Sequence, residues 1–182
     1  MIKVVKFGGS SLASAEQFMK VKDIIKADPD RRFVVPSAPG KRNSADTKVT
    51  DMLYQCYALA EEGHDFDDAL AQIKDRYQGI IDGLSLTVSL DSEFATIREN
   101  FAKHAGKDYA ASRGEYLNGI LLANYLGFEF LDAAQYIFFH EDGTFDDVTT
   151  HKKLSKKLAS MSHAVNPGFY GSYADGRVKT FS

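Results

Sequence analysis

Two hydrophobic rhythms alternate along this chain. Ile2 to Phe7 is a nearly continuous apolar run, the pattern of a strand set into a sheet. Ser14 with Gln17 reads as a capping box opening a helix, and Phe18, Val21, Ile24 and Ile25 recur at the spacing of its buried face. Asp28-Pro29-Asp30 ends that helix and Phe33 to Pro36 predicts a second short strand, so the chain opens as an α/β fold. Ser37 to Lys48 is polar and loop-like, and a loop of this length inside a compact domain is usually functional or mobile.

Four helices are predicted next. Val49, Met52, Leu53, Cys56, Tyr57 and Ala60 stripe the first, and Phe66, Leu70, Ile73, Tyr77 and Ile80 the second. Leu90, Phe94, Ile97 and Phe101 stripe the third; Tyr116, Leu117, Ile120, Leu121 and Asn124 outline the fourth, which stops near Gly127. Strands are predicted at Phe128 to Leu131, Tyr136 to Phe139 and Ala164 to Asn166, with a basic helix between the last two from about Thr149 to Ser160. Asp175-Gly176, between Ser172-Tyr173 and Arg177 to Phe181, signals a hairpin. Repeats and low-complexity segments are absent.

Composition narrows the class. With 182 residues, 44% of them apolar and 26% charged, the chain can bury one core as a single domain. A net charge of −3 provides no basic field for nucleic acid, and Lys152, Lys153, Lys156 and Lys157 have the spacing of a solvated helix face. The single cysteine, Cys56, falls on an apolar stripe, where it acts as a small core residue of a reducing compartment. The amino terminus enters a strand pattern directly and no apolar stretch reaches the ~20 residues of a membrane span, so the expected location is the cytoplasm.

Candidate chemistry gathers at strand ends. Lys6 closes an apolar strand that breaks into Gly8-Gly9-Ser10, a run whose backbone N–H groups can cradle phosphate beside a mobile cation; ordinary turn chemistry uses the same residues. Pro36 into Ser37, Leu131 into Asp132, and Asn166 into Pro167-Gly168-Phe169 are further polar or flexible strand ends, and in open α/β sheets such ends face the ligand crevice. Around Gly40-Lys41 a Walker A loop would need glycine at 35 and Ser or Thr at 42, where Val35 and Arg42 stand, and no G-x-G-x-x-G follows a strand. The histidines at 64, 104, 140, 151 and 163 lack metal-site spacing, so any metal is expected to arrive with a substrate, as magnesium does with ATP. On the fourth helix Ser112, Glu115, Asn118 and Gly119 form a small polar stripe. Glu115 there could hold an ammonium group in a cavity, although the spacing equally fits an exposed glutamate. Gly114, costing ~1 kcal/mol inside a helix, suggests close approach by another segment.

KFGGSS at Lys6 to Ser11, VVPSAPGKR at Val34 to Arg42, KVTDML at Lys48 to Leu53, SRGEYLNG at Ser112 to Gly119 and NPGFYGSYADGRVKTFS at Asn166 to Ser182 together resemble the aspartokinases. The resemblance implies the amino acid kinase fold, a three-layer αβα sandwich around a mostly parallel sheet. It also implies phosphorylation of the L-aspartate side-chain carboxylate by ATP, with Mg2+ brought by the nucleotide, to give 4-phospho-L-aspartate, the first step toward lysine, threonine and methionine. Lys6 resembles the lysine that stabilises the transferring phosphoryl group, and Gly8, Gly9 and Ser10 resemble the phosphate cradle. Ser37 and Thr50 resemble aspartate-binding hydroxyls, Glu115 the holder of the amino group, and Phe169 a pocket-lining aromatic; Lys48, Asp51 and Arg113 share motif membership only. A homo-oligomer is implied for the full-length protein.

Pro36 departs from the pattern and requires the strand to end there or lie at an edge. In aspartokinases an Arg-Gly-Gly-Ser-Asp segment would follow Ser182 almost immediately. The expectation is therefore the amino-acid-binding lobe spanning 1–182, without the nucleotide-binding half or regulatory domains, truncated on its C-terminal side and inactive alone. Kinases of glutamate, N-acetylglutamate or carbamate are alternatives within the fold, and a non-catalytic amino-acid-binding module is the alternative outside it.

Overall fold

In a computed structural model that describes residues 1–181, the element order is β1 (Lys3–Phe7), α1 (Ala15–Lys26), β2 (Arg31–Pro36), α2 (Val49–Glu61), α3 (Asp67–Gly83), α4 (Asp91–Ala102), α5 (Lys107–Leu126), β3 (Glu129–Phe130), α6 (Asp147–Ala159), β4 (Ala164–Val165), β5 (Tyr170–Ser172) and β6 (Val178–Thr180). Short 3-10 turns follow β1 at Gly9–Leu12 and β3 at Ala133–Gln135. The first four strands in sheet order, β1-β2-β4-β3, run parallel, with Val4 opposite Phe33, Val34 opposite Val165 and Phe130 opposite Val165. Parallel strands need crossovers, which α1 supplies between β1 and β2 and the helical block α2 to α5 supplies further on.

Alternation along the strands divides the interior into two layers. Val34 and Val165 face the main core with Phe18 and Val21 of α1, Leu53 of α2, Ile73 of α3 and Leu117 and Leu121 of α5. Their neighbours Phe33 and Ala164 point the other way, onto Leu154 and Leu158 of α6. Helices on both faces of a parallel sheet make this an α/β fold of three layers, as the resemblance to the aspartokinases implies. The C-terminal strands β5 and β6 form a separate antiparallel hairpin whose turn carries Gly176 at φ +89°. Among the described residues β1 pairs on one side only, and its Val4 is 66% exposed.

Several local expectations are corrected. The Ser14 hydroxyl donates to Glu16 Oε2 at 2.8 Å instead of capping, so no capping box forms, although α1 begins where the sequence places it. Ile24 is exposed; the buried stripe of α1 is Phe18, Val21 and Ile25, because Ile24 turns past the core-facing arc. Tyr136 to Phe139 is not a strand. The Ala133–Gln135 turn draws Ile137 N–H back to Ala133 O, leaving only single bridges from Phe138 to Ser172 and from Phe139 to Phe145. Asn124 is exposed, while α5 is buried on nearly every side by α2, the sheet and β6. A helix enclosed this way shows little apolar stripe, since small and polar residues also face inward. Cys56 is fully buried, and burial pushes its thiol up to about 11, as suits a core residue.

Candidate active site

The carboxyl ends of β1 and β2 open into two loops that touch. After Phe7 the chain passes Gly8 and enters the 3-10 turn at Gly9; after Pro36 it continues through Ser37-Ala38-Pro39-Gly40. Gly40 N–H donates to Gly9 O at 2.8 Å and Ser37 N–H to Phe7 O at 3.0 Å. A Cβ on Gly40 would lie 2.7 Å from the Gly9 carbonyl carbon, and one on Gly9 would lie 2.9 Å from Ala38 O. The glycines thus serve close approach. Neither they nor Gly8 adopts the positive φ that a strand-end glycine run suggests, and a Cβ on Gly8 would meet nothing within 4 Å, so its backbone borders open space. Pro36 ends β2 at the last residue of the ladder, where its missing N–H costs nothing.

Helix α5 closes on these loops from the other side. Gly114 makes the approach possible, because a Cβ there would lie 2.7 Å from the Ala38 Cβ. One residue on, Glu115 is 7% exposed; its Oε1 accepts from Ala38 N–H at 3.1 Å, and its Oε2 is buried without a hydrogen-bond partner among the described residues. Burial raises the Glu115 carboxyl to about 7, against the pull of the Ala38 N–H and the positive charge of Lys6. A turn later Asn118 Nδ2 donates to Ser37 O at 2.7 Å, so α5 grips two successive residues of the loop.

Between these walls lies a cavity of about 460 Å³ lined by Gly9, Ser10, Ser37, Ala38, Pro39, Gly40, Lys41, Lys48, Thr50 and Glu115. Five residues given a site role in the sequence, Gly9, Ser10, Ser37, Thr50 and Glu115, meet here from four separate segments, and Lys48, singled out as a motif member, joins them. Lys6 and Gly8 stand outside the lining: Lys6 is exposed on β1 within electrostatic range of Glu115, and Gly8 leads into the turn. Phe169 also stands outside it, 36% exposed, and its φ of +76° is a conformation that bulky side chains rarely adopt. Lys41 and the backbone of Ala38 to Gly40 are lining elements that sequence reasoning missed; their signal was adjacency to the Gly40 turn. Among the described residues no group of three His, Cys, Asp or Glu side chains could hold a metal ion.

A buried acid with one free oxygen, a glycine-built double turn and two lysines at the rim fit a small zwitterion or a phosphorylated ligand. The family model described as the amino acid kinase family matches residues 1–177. The chain belongs to the amino acid kinase family. It is 33% identical over 201 aligned residues to Aspartokinase 3 of Bacillus subtilis (strain 168), covering 100% of this chain and 43% of that protein. The solved aspartate kinase of Clostridium acetobutylicum superposes with a TM-score of 0.95 at 49% identity, over 98% of this chain and 41% of that one. Escherichia coli aspartokinase III, solved in complex with aspartate and ADP, shares the fold with a TM-score of 0.80 at 23% identity, over 99% of this chain and 43% of its own. This amino acid kinase chain therefore spans under half the length of the relatives it matches.

Proposed function

We propose that this chain carries the amino-acid site, and one wall of the phosphoryl-transfer site, of an aspartate kinase that uses ATP to phosphorylate the side-chain carboxylate of L-aspartate. The observation that carries the reading is the unpartnered Oε2 of Glu115, buried at the rear of a cavity whose rim is cationic. A carboxylate in that setting is satisfied by an ammonium donor, and the α-amino group of aspartate supplies one. Ser37 and Thr50 stand on the walls as hydroxyl partners for the substrate's carboxylates, and Lys41 and Lys48 offset its remaining negative charge.

Phosphoryl transfer requires an attacking carboxylate oxygen held in line with the γ-phosphorus while negative charge on the phosphoryl oxygens is offset. In this reading Glu115 orients the amino acid, the Gly8 to Ser10 turn offers backbone donors to phosphate, and Lys6 supplies a positive charge next to it. Mg2+ enters as the ATP complex. The product is 4-phospho-L-aspartate, whose formation opens the route to lysine, threonine and methionine. Because the chain spans under half of its relatives, the complete reaction is assigned to the whole protein, and the 182-residue chain alone is expected to lack turnover. Trapping acyl phosphate with hydroxylamine, across an acceptor panel of aspartate, glutamate, N-acetylglutamate and carbamate, tests this. Hydroxamate from aspartate only with a longer form of the protein supports the reading, and preference for another acceptor overturns it.

A further inference from the structure

The loop that forms the cavity's outer wall, 37–48, contains no regular element and is exposed from Lys41 to Ala45. Its two ends are joined by one side chain from a helix that does not line the cavity. Arg76 of α3, 7% exposed, donates from Nη2 to Gly40 O at 3.0 Å and from Nη1 to Thr47 O at 3.1 Å and Asp46 Oδ2 at 3.0 Å. Asp46 is held in turn by Arg42, through its backbone N–H at 2.9 Å and its guanidinium at 2.7 and 2.9 Å. The guanidinium thus closes the neck of the loop between residues 40 and 47. The two cationic lining residues, Lys41 and Lys48, each come directly after a carbonyl that Arg76 holds.

The next residue of α3 grips the opposite wall. Tyr77, fully buried, donates its hydroxyl to Gly114 O at 2.7 Å, one residue before Glu115. Two successive side chains of α3 therefore reach the loop wall and the helix wall from behind.

Packing alone does not account for the arginine. Ile73, Tyr77, Ile80 and Ile81 already seat α3 in the core. A guanidinium taken out of water is a costly way to fill space unless its fixed fork of donors is used. That fork here meets two main-chain carbonyls and a carboxylate of one loop.

We propose that Arg76 is a positioning residue of the site: with Tyr77 it braces the two cavity walls and sets where Lys41 and Lys48 stand relative to Glu115. The proposal rests on the amino-acid-binding reading above for its ligand, and not for the brace itself.

The test compares Arg76→Met, Arg76→Lys, Tyr77→Phe and Asp46→Asn in the 182-residue chain by segment-resolved hydrogen exchange and by calorimetric titration with L-aspartate. Arg76→Met is expected to speed exchange across 40–48 and to weaken aspartate binding by roughly fivefold, no more than the two lysine contacts together contribute, while exchange in α5 beyond Leu117 stays slow. Arg76→Lys should recover part of the affinity. Tyr77→Phe should weaken binding about threefold without loosening 40–48, in line with the loss of one neutral hydrogen bond. Asp46→Asn, which leaves both carbonyl bonds of Arg76 in place, should have the smallest effect. Unchanged exchange in 40–48 for Arg76→Met, or faster exchange with wild-type aspartate affinity, overturns the proposal. If the wild-type chain takes up no aspartate, the substrate reading falls for this chain and the exchange pattern alone decides the brace.

Discussion

The two walls of the cavity are built on opposite principles. The α5 wall is inside the protein: Ser112, Gly114, Glu115 and Asn118 are all buried, and Glu115 is a carboxylate short of one partner among the described residues. The 37–48 wall is largely outside: its lysines are exposed, and its shape depends on a side chain reaching from α3. A buried group gains strength from low dielectric and loses it sharply when altered, whereas an exposed charge is screened by salt. On this contrast the inner wall should decide which ligand binds and the outer wall should adjust how tightly.

The largest effect should come from the inner wall. Glu115→Gln keeps the shape but removes the charge that an ammonium needs. Aspartate affinity should fall by roughly 30-fold or more, as expected for a charged hydrogen bond worth about 2–3 kcal/mol, measured by calorimetry. Its stability should move the other way. Burial raises the folded-state pKa from 4.5 to about 7, so the folded chain keeps a proton that the unfolded chain releases. The contribution of this group to stability is therefore greatest below the unfolded value and falls as pH rises through the folded one. In denaturant melts Glu115→Gln should exceed the wild type at pH 8 by about 1–3 kcal/mol and lose that advantage near pH 4.

Gly114→Ala is the intermediate case and tests whether the walls are independent. Alanine gains ~1 kcal/mol of helix propensity, but its Cβ would lie 2.7 Å from that of Ala38. Overpacking of this kind costs about 1–3 kcal/mol, and the loop at Ala38, buried but without regular structure, is the side that can yield. The expected outcome is a small change in melting temperature with aspartate binding weakened about tenfold, because a displaced loop loses oriented contacts; unchanged affinity would mean that the contact between the walls does not set the site.

The outer lysines should have the smallest effect. Lys41→Ala and Lys48→Ala should each weaken aspartate binding only about two- to threefold at low salt, as exposed charges do, and the difference should vanish at high ionic strength. A salt-independent loss would show these side chains to be more enclosed in the bound state than in the empty one.

How much of this could be read from the sequence follows the same division. Strand β1, the stripes of α2, α3 and α4 and the Gly127 stop were legible because local periodicity and turn chemistry decide them. Glu115 stood out because a small polar stripe lies beside an apolar one on α5, although spacing alone fitted an exposed glutamate as well; its burial comes from the fold. The brace was not legible. Arg76 interrupts an apolar stripe, but its partners at 40, 46 and 47 are about thirty residues away and become neighbours only in the fold. Tyr136 to Phe139 was misread because four aromatic and aliphatic residues in a row look like a strand, while the preceding Asp132 side chain, accepting from Ala134 N–H at 3.0 Å, winds the chain into a turn. Phe169 was read as part of a flexible strand end and took its pocket-lining role from resemblance alone, and no local pattern foretold its left-handed backbone.

Glu115 is proposed to receive an ammonium group in this cavity. Calorimetric titration of L-aspartate from pH 6 to pH 8, in two buffers of different ionisation enthalpy, tests it most directly. With Glu115 titrating at about 7, binding should strengthen as pH rises and level off above neutrality. It should release a fraction of a proton near pH 6.5 to 7, and that release should be absent in Glu115→Gln. Aspartate binding with no pH dependence across this range, or with full affinity in Glu115→Gln, would contradict it.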